Sequence, residues 1–337
     1  MKKIVFDLLN NDGGQEKAII AAKNFLETNL DYSLILVGDE KKITSLIPAN
    51  LHNRITIINS LEIVSKLESP RDALRSDSSM LKAFNALYEQ NADGILSSGD
   101  SASYIILSSL KVKRINGISR PAFMPILPTT TAKNIVVLDV GANIDVKPEY
   151  LVEWANVASE FYKVLFPCVE IPHVGQLNIG TEKYKGSEIA KEANKLLSSP
   201  TSKFIFKGFI EPNNVINGDV DIVVTDGYAG NIFLKTMESS FLGFAKLIKG
   251  IFLKNVFTKF SALFVKNDFK KLKSRFDYRN IGGAFIVGLD KIVVKAHGGS
   301  DEIAFFNALN QIKLGIENNI IEKISAKSLV IEGNKNE

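Results

Sequence analysis

The sequence predicts an α/β fold: a three-layer α/β/α sandwich around a mainly parallel sheet, with a protruding helical insert. Three observations carry that expectation. Short apolar, β-branched runs alternate with longer segments of helical periodicity. Most of those runs end in small polar turns, as the strands of a parallel sheet do where they feed a helix. No linker rich in Pro, Gly or Ser divides the 337 residues, so one catalytic domain over 1–337 is expected, with the insert at about 235–280.

Ile4–Phe6 reads as the first strand and Gln15–Thr28 as the first helix. Tyr32–Val37 is a second strand, ended by Gly38 and Asp39, and Arg54–Ile58 a third. Ser78–Gln90 is helical, with Ser78 or Asp77 suited to cap it, because a short side-chain oxygen accepts a first-turn N–H. Gly94–Ser97 is a strand running into Ser98-Gly99-Asp100-Ser101, and Ser101–Leu110 a helix. Asn134–Asp139 is a strand ending in Val140-Gly141-Ala142-Asn143; Pro148–Val164 follows as a helix with its proline in the first turn. His173–Leu177 ends at Asn178-Ile179-Gly180, before a helix over Gly186–Leu197. Phe204–Phe206 and Asp221–Val224 are further strands. Ile292–Lys295 is the last, running into Ala296-His297-Gly298-Gly299-Ser300-Asp301 ahead of a long closing helix and a polar tail at 333–337. Five turns, 97–101, 139–143, 177–181, 225–231 and 296–301, are expected to converge on one crevice at the carboxyl ends of the strands, where open parallel sheets hold ligands.

Composition sets further bounds. One cysteine, Cys168, leaves no internal disulfide and no cysteine zinc site, and fits a reducing compartment. Following Pro167, it reads as a small buried residue. The first apolar run stops at Asp7, too early for a signal peptide. No uncharged apolar stretch reaches the ~18 residues of a spanning helix, so a protein not integral to the membrane is expected. The net charge of +4 is uneven: residues 241–279 carry ten Lys or Arg against two acids, a local +8 that leaves −4 on the rest. Eight of the 21 phenylalanines fall in the same segment, which points to an anionic partner or surface.

Chemistry first surfaces in VDIVVTDGYAGNIFLKT, residues 220–236. Val220–Val224 reads as a buried strand, Thr225-Asp226-Gly227 and Gly230-Asn231 as breaks, and the remainder as a helix. A strand, a glycine turn and a helix N-terminus present backbone N–H groups to an anion; the plain alternative is a turn and nothing more. Of the histidines His52, His173 and His297, only His297 stands between a strand end and a Gly-Gly turn.

Several segments then act together. LDVGANIDVKPEYLVEWA (138–155), QLNIGTEKYKGSEIAKEA (176–193), VDIVVTDGYAGNIFLKTMES (220–239) and IGGAFIVGLDKIVVKAHGGSDEIAFFNAL (281–309), with LVGDE (36–40), DSSM (77–80) and SRPAFMPILPT (119–129), resemble the phosphate acyltransferases of phospholipid synthesis, the PlsX family, over nearly the whole chain. The resemblance implies a phosphotransacetylase-like fold and a homodimer. It implies transfer of a long-chain acyl group from acyl carrier protein to inorganic phosphate, giving an acyl phosphate for a membrane glycerol-3-phosphate acyltransferase. It implies no metal, no organic cofactor, and a cytoplasmic protein peripheral to the membrane. Two rivals stay open: a phosphotransacetylase-like enzyme on short acyl-CoA, and a non-catalytic membrane or carrier-protein scaffold.

Phosphate is itself a nucleophile, so the site has only to hold it, stabilise the oxyanion and release a thiolate. The phosphate cradle is assigned to Gly227, Gly230 and Asn231 after Asp226, with Ser78, Ser79 and Gly99 at neighbouring turns. His297, Lys295 and Ser300 are the polar groups for the carbonyl or phosphate; Asp139, Gly141, Asn143 and Asn178 orient the site; Lys185 meets phosphate or carrier protein. In the insert, Phe241, Phe244, Ile248 and Ile251, then Phe252, Val256, Phe260 and Leu263, recur at helical spacing with a break at Gly250, interleaved by lysines 246, 249, 254, 259 and 266. It reads as a dimer or core helix, as a basic amphipathic helix with Phe252, Phe257, Phe260 and Phe264 on a membrane or acyl chain, or as a dock for acidic carrier protein. No recognition motif points to nucleic acid. The chain departs from the family pattern at its first turn, Leu8–Gly14, and at Asp100, whose charge works against an anion there.

Overall fold

The computed structural model describes residues 1–64, 70–131 and 133–325; the polar tail lies outside them. Lys2–Asp7 (β1) buries both of its faces, with Ile4 and Phe6 in one apolar cluster and Val5 in another. A strand buried on both sides belongs inside a layered sheet. Tyr32–Gly38 (β2), Ile55–Asn59 (β3), Gly94–Ser97 (β4) and Ala122–Met124 (β5) join it. Ile126–Pro128 (β6), Asn134–Leu138 (β7), His173–Leu177 (β8), Ile205–Ile210 (β9) and Ile222–Val224 (β10) form a second sheet, and Gly283–Val287 (β11) and Ile292–Ala296 (β12) return to the first. The strand orders are β3-β2-β1-β4-β12-β11-β5 and β6-β7-β10-β8-β9. All pairs are parallel except β11 with β12 and with β5, and β6 with β7.

Two sheets thus stand where one is expected. The chain changes sheets at Pro125: 122–124 pairs with β11, and 126–128 pairs with β7. Three-residue strands are too short to show a period of two. The helices are Gln15–Thr28 (α1), Glu40–Leu46 (α2), Ser79–Glu89 (α3), Ser101–Lys111 (α4), Pro148–Leu165 (α5), Glu188–Leu197 (α6), Pro212–Asn217 (α7), Gly227–Leu253 (α8), Val256–Arg275 (α9) and Glu302–Glu317 (α10). The first sheet lies between α3 and α4 on the Val5 face and α1 and α10 on the Ile4 face. The second lies between α5 and α6 on one face and α7 with the root of α8 on the other. Phe161 of α5 meets Phe285 of β11 with ring centroids 5.2 Å apart, and one apolar cluster runs through both sheets.

The sequence reading omits α2 and α7. Asp39 directly follows β2 and caps α2, accepting from the N–H groups of Lys41 and Lys42; α7 is a single stretch between Pro212 and the left-handed Gly218. Cys168 is exposed, a correction to its reading as buried: Pro167 follows the end of α5, and the loop runs over the surface. The break expected at Gly250 falls instead at Lys254–Asn255, where Asn255 and Thr258 cap α9 reciprocally. Helices α8 and α9 then form a hairpin zipped by Phe241 on Phe276 and Phe252 on Phe269, with ring centroids at 4.3 and 5.2 Å. Phe252 is therefore half-buried in the seam. Phe244, Ile251, Phe257, Phe260, Leu263 and Phe264 stay exposed, Phe257 by 85%. Among the described residues no helix is long and apolar enough to cross a membrane.

The root of α8 allows one sharp contrast. A Cβ at Gly230 would overlap the Asp139 carbonyl oxygen, whereas one at Gly243 would meet open space. Gly230→Ala is expected to cost about 1–3 kcal/mol through overpacking. Gly243→Ala is expected to gain about 0.5–1 kcal/mol by removing a helical glycine. Urea unfolding midpoints check both, and a Gly230→Ala midpoint at or above that of the parent contradicts the packing.

Candidate functional site

β1 ends in Asp7, which is 1% exposed. Ser97 Oγ at the end of β4 donates to its carboxylate at 2.7 Å, and Asn10 Nδ2 donates to the same oxygen at 2.8 Å. That Asn10 amide also reaches Ser79 Oγ at 2.9 Å. Burial pushes the Asp7 carboxyl up, and these donors oppose the shift. The loop after β1 is thereby tied to the ends of β4 and α3. Gly99 fits there because a Cβ would strike Met80 and Asn10. Ser78 caps α3 by accepting from Leu81 N at 3.3 Å. Asp100 caps α4 by accepting from Ser103 N at 2.8 Å.

β12 runs beside β4 and carries Lys295 one residue before its end, with the side chain buried and Nζ donating to Ala296 O at 2.8 Å. Burial pushes this amine down from 10.5 to about 8, while the charges of Asp100 and Asp12 pull the other way. The chain then turns: Ser300 N donates to His297 O at 3.0 Å. The turn docks on the first loop through Asp12 N on Gly298 O at 3.0 Å and Asn11 Nδ2 on Ser300 O at 3.1 Å. Gly299 N donates to His297 Nδ1 at 3.0 Å. A ring nitrogen that accepts carries no hydrogen, so the neutral imidazole holds its proton on Nε2. Ser300 Oγ is buried without a hydrogen-bond partner. A buried hydroxyl left open is a place for a polar ligand to complete.

On the second sheet the organising group is Asp139, fully buried after β7. Its Oδ1 accepts from Phe123 N of β5 at 2.9 Å and Ala142 N at 3.1 Å. Its Oδ2 accepts from Asn143 N at 2.6 Å and Asn143 Nδ2 at 3.0 Å. Burial raises the carboxyl and the four donors counter it. The root of α8 packs directly on this turn. A Cβ at Gly227 would stand 2.8 Å from Asp139 Oδ2. Three of the first four amides of α8 are spent inside the chain: Gly227 N on Asn143 O at 2.9 Å, Ala229 N on the Asp226 carboxylate at 2.8 Å, and Gly230 N on Asp226 O at 3.0 Å. In this structure Gly227 and Gly230 therefore serve close packing, and these amides are turned to partners within the protein.

Helix α8 links the two sheet ends. Asn231 faces Gly141, its Nδ2 lying 3.3 Å from where a Gly141 Cβ would be. Lys235 and Glu238 follow at the fourth and seventh positions, on the same side of the helix. Glu238 lies within electrostatic reach of His297: desolvation raises its carboxyl, and His297 and Lys235 oppose that shift. Thus Asp139, Gly141, Asn143, Asp226, Gly227, Gly230 and Asn231 form one group, and Ser79, Gly99, Lys295, His297 and Ser300 line another. Asn178 and Lys185 remain in their own loop: Asn178 Nδ2 donates to Gly180 O and Lys185 O, and Lys185 pairs with Glu182 at 2.9 Å. Sequence reasoning missed Asp7, Asn10 and Glu238. One signal was present, since IVFD and VVLD are the same pattern, an apolar strand closed by an aspartate. Among the described residues no group of three or more His, Cys, Asp or Glu is placed to hold a metal.

The family described as "Fatty acid synthesis protein" matches residues 2–323. A protein of Mycoplasma mobile named "Phosphate acyltransferase" is 46% identical over 324 residues, 96% of this chain and 98% of that one. One of the same name from Clostridium botulinum is 38% identical over 327 residues, 96% and 97% of the two chains. Among solved structures, a phosphotransacetylase from Streptococcus pyogenes superposes with a TM-score of 0.58 at 19% identity, covering 93% of this chain and 94% of its own. The EutD phosphotransacetylase from Staphylococcus aureus gives 0.54, also at 19% identity, covering 93% of each chain. The structural likeness shows a common fold; the sequence matches show that this chain belongs to the fatty acid synthesis protein family, the PlsX-type phosphate acyltransferases that its motifs resemble.

Proposed function

We propose that this protein transfers a long-chain acyl group from acyl carrier protein to inorganic phosphate, producing an acyl phosphate for phospholipid synthesis. The observation that carries the site assignment is the buried, unpartnered Ser300 Oγ in the turn that follows buried Lys295 and holds exposed His297. A hydroxyl, an ammonium and an imidazole N–H are three donors in one turn, which suits a phosphate or an oxyanion. A phosphate oxygen attacks the thioester carbonyl carbon, the C–S bond breaks, and the thiolate leaves and takes a proton. In this reading Lys295 and Ser300 hold phosphate, Nε2–H of His297 donates a hydrogen bond to the oxyanion, and the proton taken by the thiolate is the one the attacking phosphate gives up. Asp7 and Asp139 position the loops, and Asn231 and Glu238 border the crevice from α8. Holding the two reactants in register contributes on the order of 7–11 kcal/mol in favourable cases.

The hairpin is the surface for the hydrophobic partner. Its exposed Phe257, Phe260 and Phe264 sit among exposed Lys254, Lys259 and Lys266. Apolar rings beside ammonium groups suit an anionic bilayer, where the rings enter the interface and the lysines meet headgroups. A second copy seated at the base of the hairpin is compatible with that contact. The acyl phosphate then forms close to the membrane glycerol-3-phosphate acyltransferase that uses it.

Purified protein given long-chain acyl carrier protein should form acyl phosphate only when phosphate is present. Turnover confined to acetyl-CoA favours the short-chain reading, and no acyl phosphate from any donor sinks the proposal. Lys295 carries its charge below about pH 8 and loses it above. The KM for phosphate should therefore climb between about pH 7 and about pH 9. In Lys295→Met it should start higher and stay flatter; an equal alkaline rise in both proteins rejects the role of Lys295. For the hairpin, Phe257→Glu with Phe260→Glu should reduce sedimentation with anionic liposomes by about tenfold and spare turnover in solution. Unchanged liposome binding removes the membrane role.

A further inference from the structure

The turn 139–143 has two flanks. One receives the root of α8. The other opens on a cavity of about 530 Å³ whose walls include Arg120, Asn143, Ile144, Asp145, Lys147 and Tyr150. The wall is built firmly: the Trp154 indole donates to Arg120 O at 2.9 Å, and the Tyr150 and Trp154 rings lie 6.1 Å apart. Asn143, one edge of it, is fixed by Asp139 and by its own amide on Pro121 O at 2.8 Å. The Arg120 and Lys147 side chains are exposed and have no hydrogen-bond or ion-pair partner among the described residues. Two cations and Asp145 leave one net positive charge. Ile144 and the Tyr150 ring add an apolar side.

This chemistry differs from that of the Lys295–Ser300 turn. There a buried ammonium and a buried hydroxyl suit a small, strongly charged phosphate. Here the mouth is open, the donors are solvated, and one positive charge stands beside apolar surface. That combination fits a singly charged phosphodiester attached to a neutral amide chain. A carrier-protein thioester hangs from such an arm. We infer that the Arg120–Lys147 cavity binds the phosphodiester of the donor's prosthetic arm and so delivers the thioester across Asn143 to the crevice. This assignment rests on the proposed acyl transfer and names the donor subsite of that reaction.

The test uses Arg120→Gln with Lys147→Gln in the full chain, with Lys147→Gln alone as the milder variant. Thermal melts of both should match the parent, since both side chains are exposed. Binding of holo-carrier protein, which has the arm, should weaken about tenfold in the double variant, towards the affinity of apo-carrier protein, which lacks it. The ratio of kcat/KM for acyl carrier protein to that for an acyl N-acetylcysteamine thioester, which has no phosphodiester, should fall by about the same factor. Equal losses for holo- and apo-carrier overturn the inference and make the cations readers of the carrier's surface. A raised KM for phosphate with an unchanged donor ratio overturns it in favour of a second phosphate site. No change in either binding or ratio also overturns it. If the parent forms no acyl phosphate from any donor, the proposed reaction fails, and the holo-against-apo comparison still tests the cavity by itself.

Discussion

The carboxylate of Asp139 is the joint on which the rest of the molecule depends. It is fully buried, and it accepts four hydrogen bonds drawn from both sheets: one from β5 of the first and three from the turn after β7 of the second. A fully buried carboxyl group in that position is tolerated because its oxygens are saturated with donors. Removing a donor would leave a buried polar atom short of a partner, so the strand ends it touches are held in place together. The two sheets are thus fixed relative to each other at the end where the polar turns lie, opposite the strand starts.

From that joint the path of α8 follows. Gly227 and Gly230 let the helix approach Asp139 more closely than any side chain would permit. Further along, the helix brings Glu238 within electrostatic reach of His297 on the first sheet. The first sheet repeats the device on a smaller scale, with Asp7 gathering Ser97 and Asn10. Two strand-final aspartates therefore hold two walls, and one helix bridges them. The same helix continues into the basic, phenylalanine-rich hairpin, so the element that packs on the Asp139 turn also leads to the exposed apolar surface. A long acyl chain bound along that element would have its carbonyl near the polar turns and its tail among exposed rings.

Much of this was legible in the sequence, and the omissions have physical causes. Long alternating elements were readable because strands buried on both faces and helices with one apolar stripe leave strong patterns. β5 and β6 were not, because three residues on either side of Pro125 carry no period, and only tertiary pairing with β11 and β7 makes them strands. The change of sheets was therefore invisible, and with it the partner of Asp139. The glycines at 227 and 230 were visible, but a turn that cradles an anion and a turn that packs on a carboxylate use the same residues. Only the hydrogen bonds of Asn143 O and Asp226 tell them apart. Asp7 was passed over because a strand-final aspartate also reads as a simple boundary.

The proposed reaction puts phosphate at the end of β12 and not at the root of α8. Crystals grown with inorganic phosphate test it most directly. An anion is expected within about 3 Å of Ser300 Oγ and in contact with Lys295 or His297. An anion held by the backbone amides of Gly227–Asn231, with the 295–300 turn empty, would contradict it.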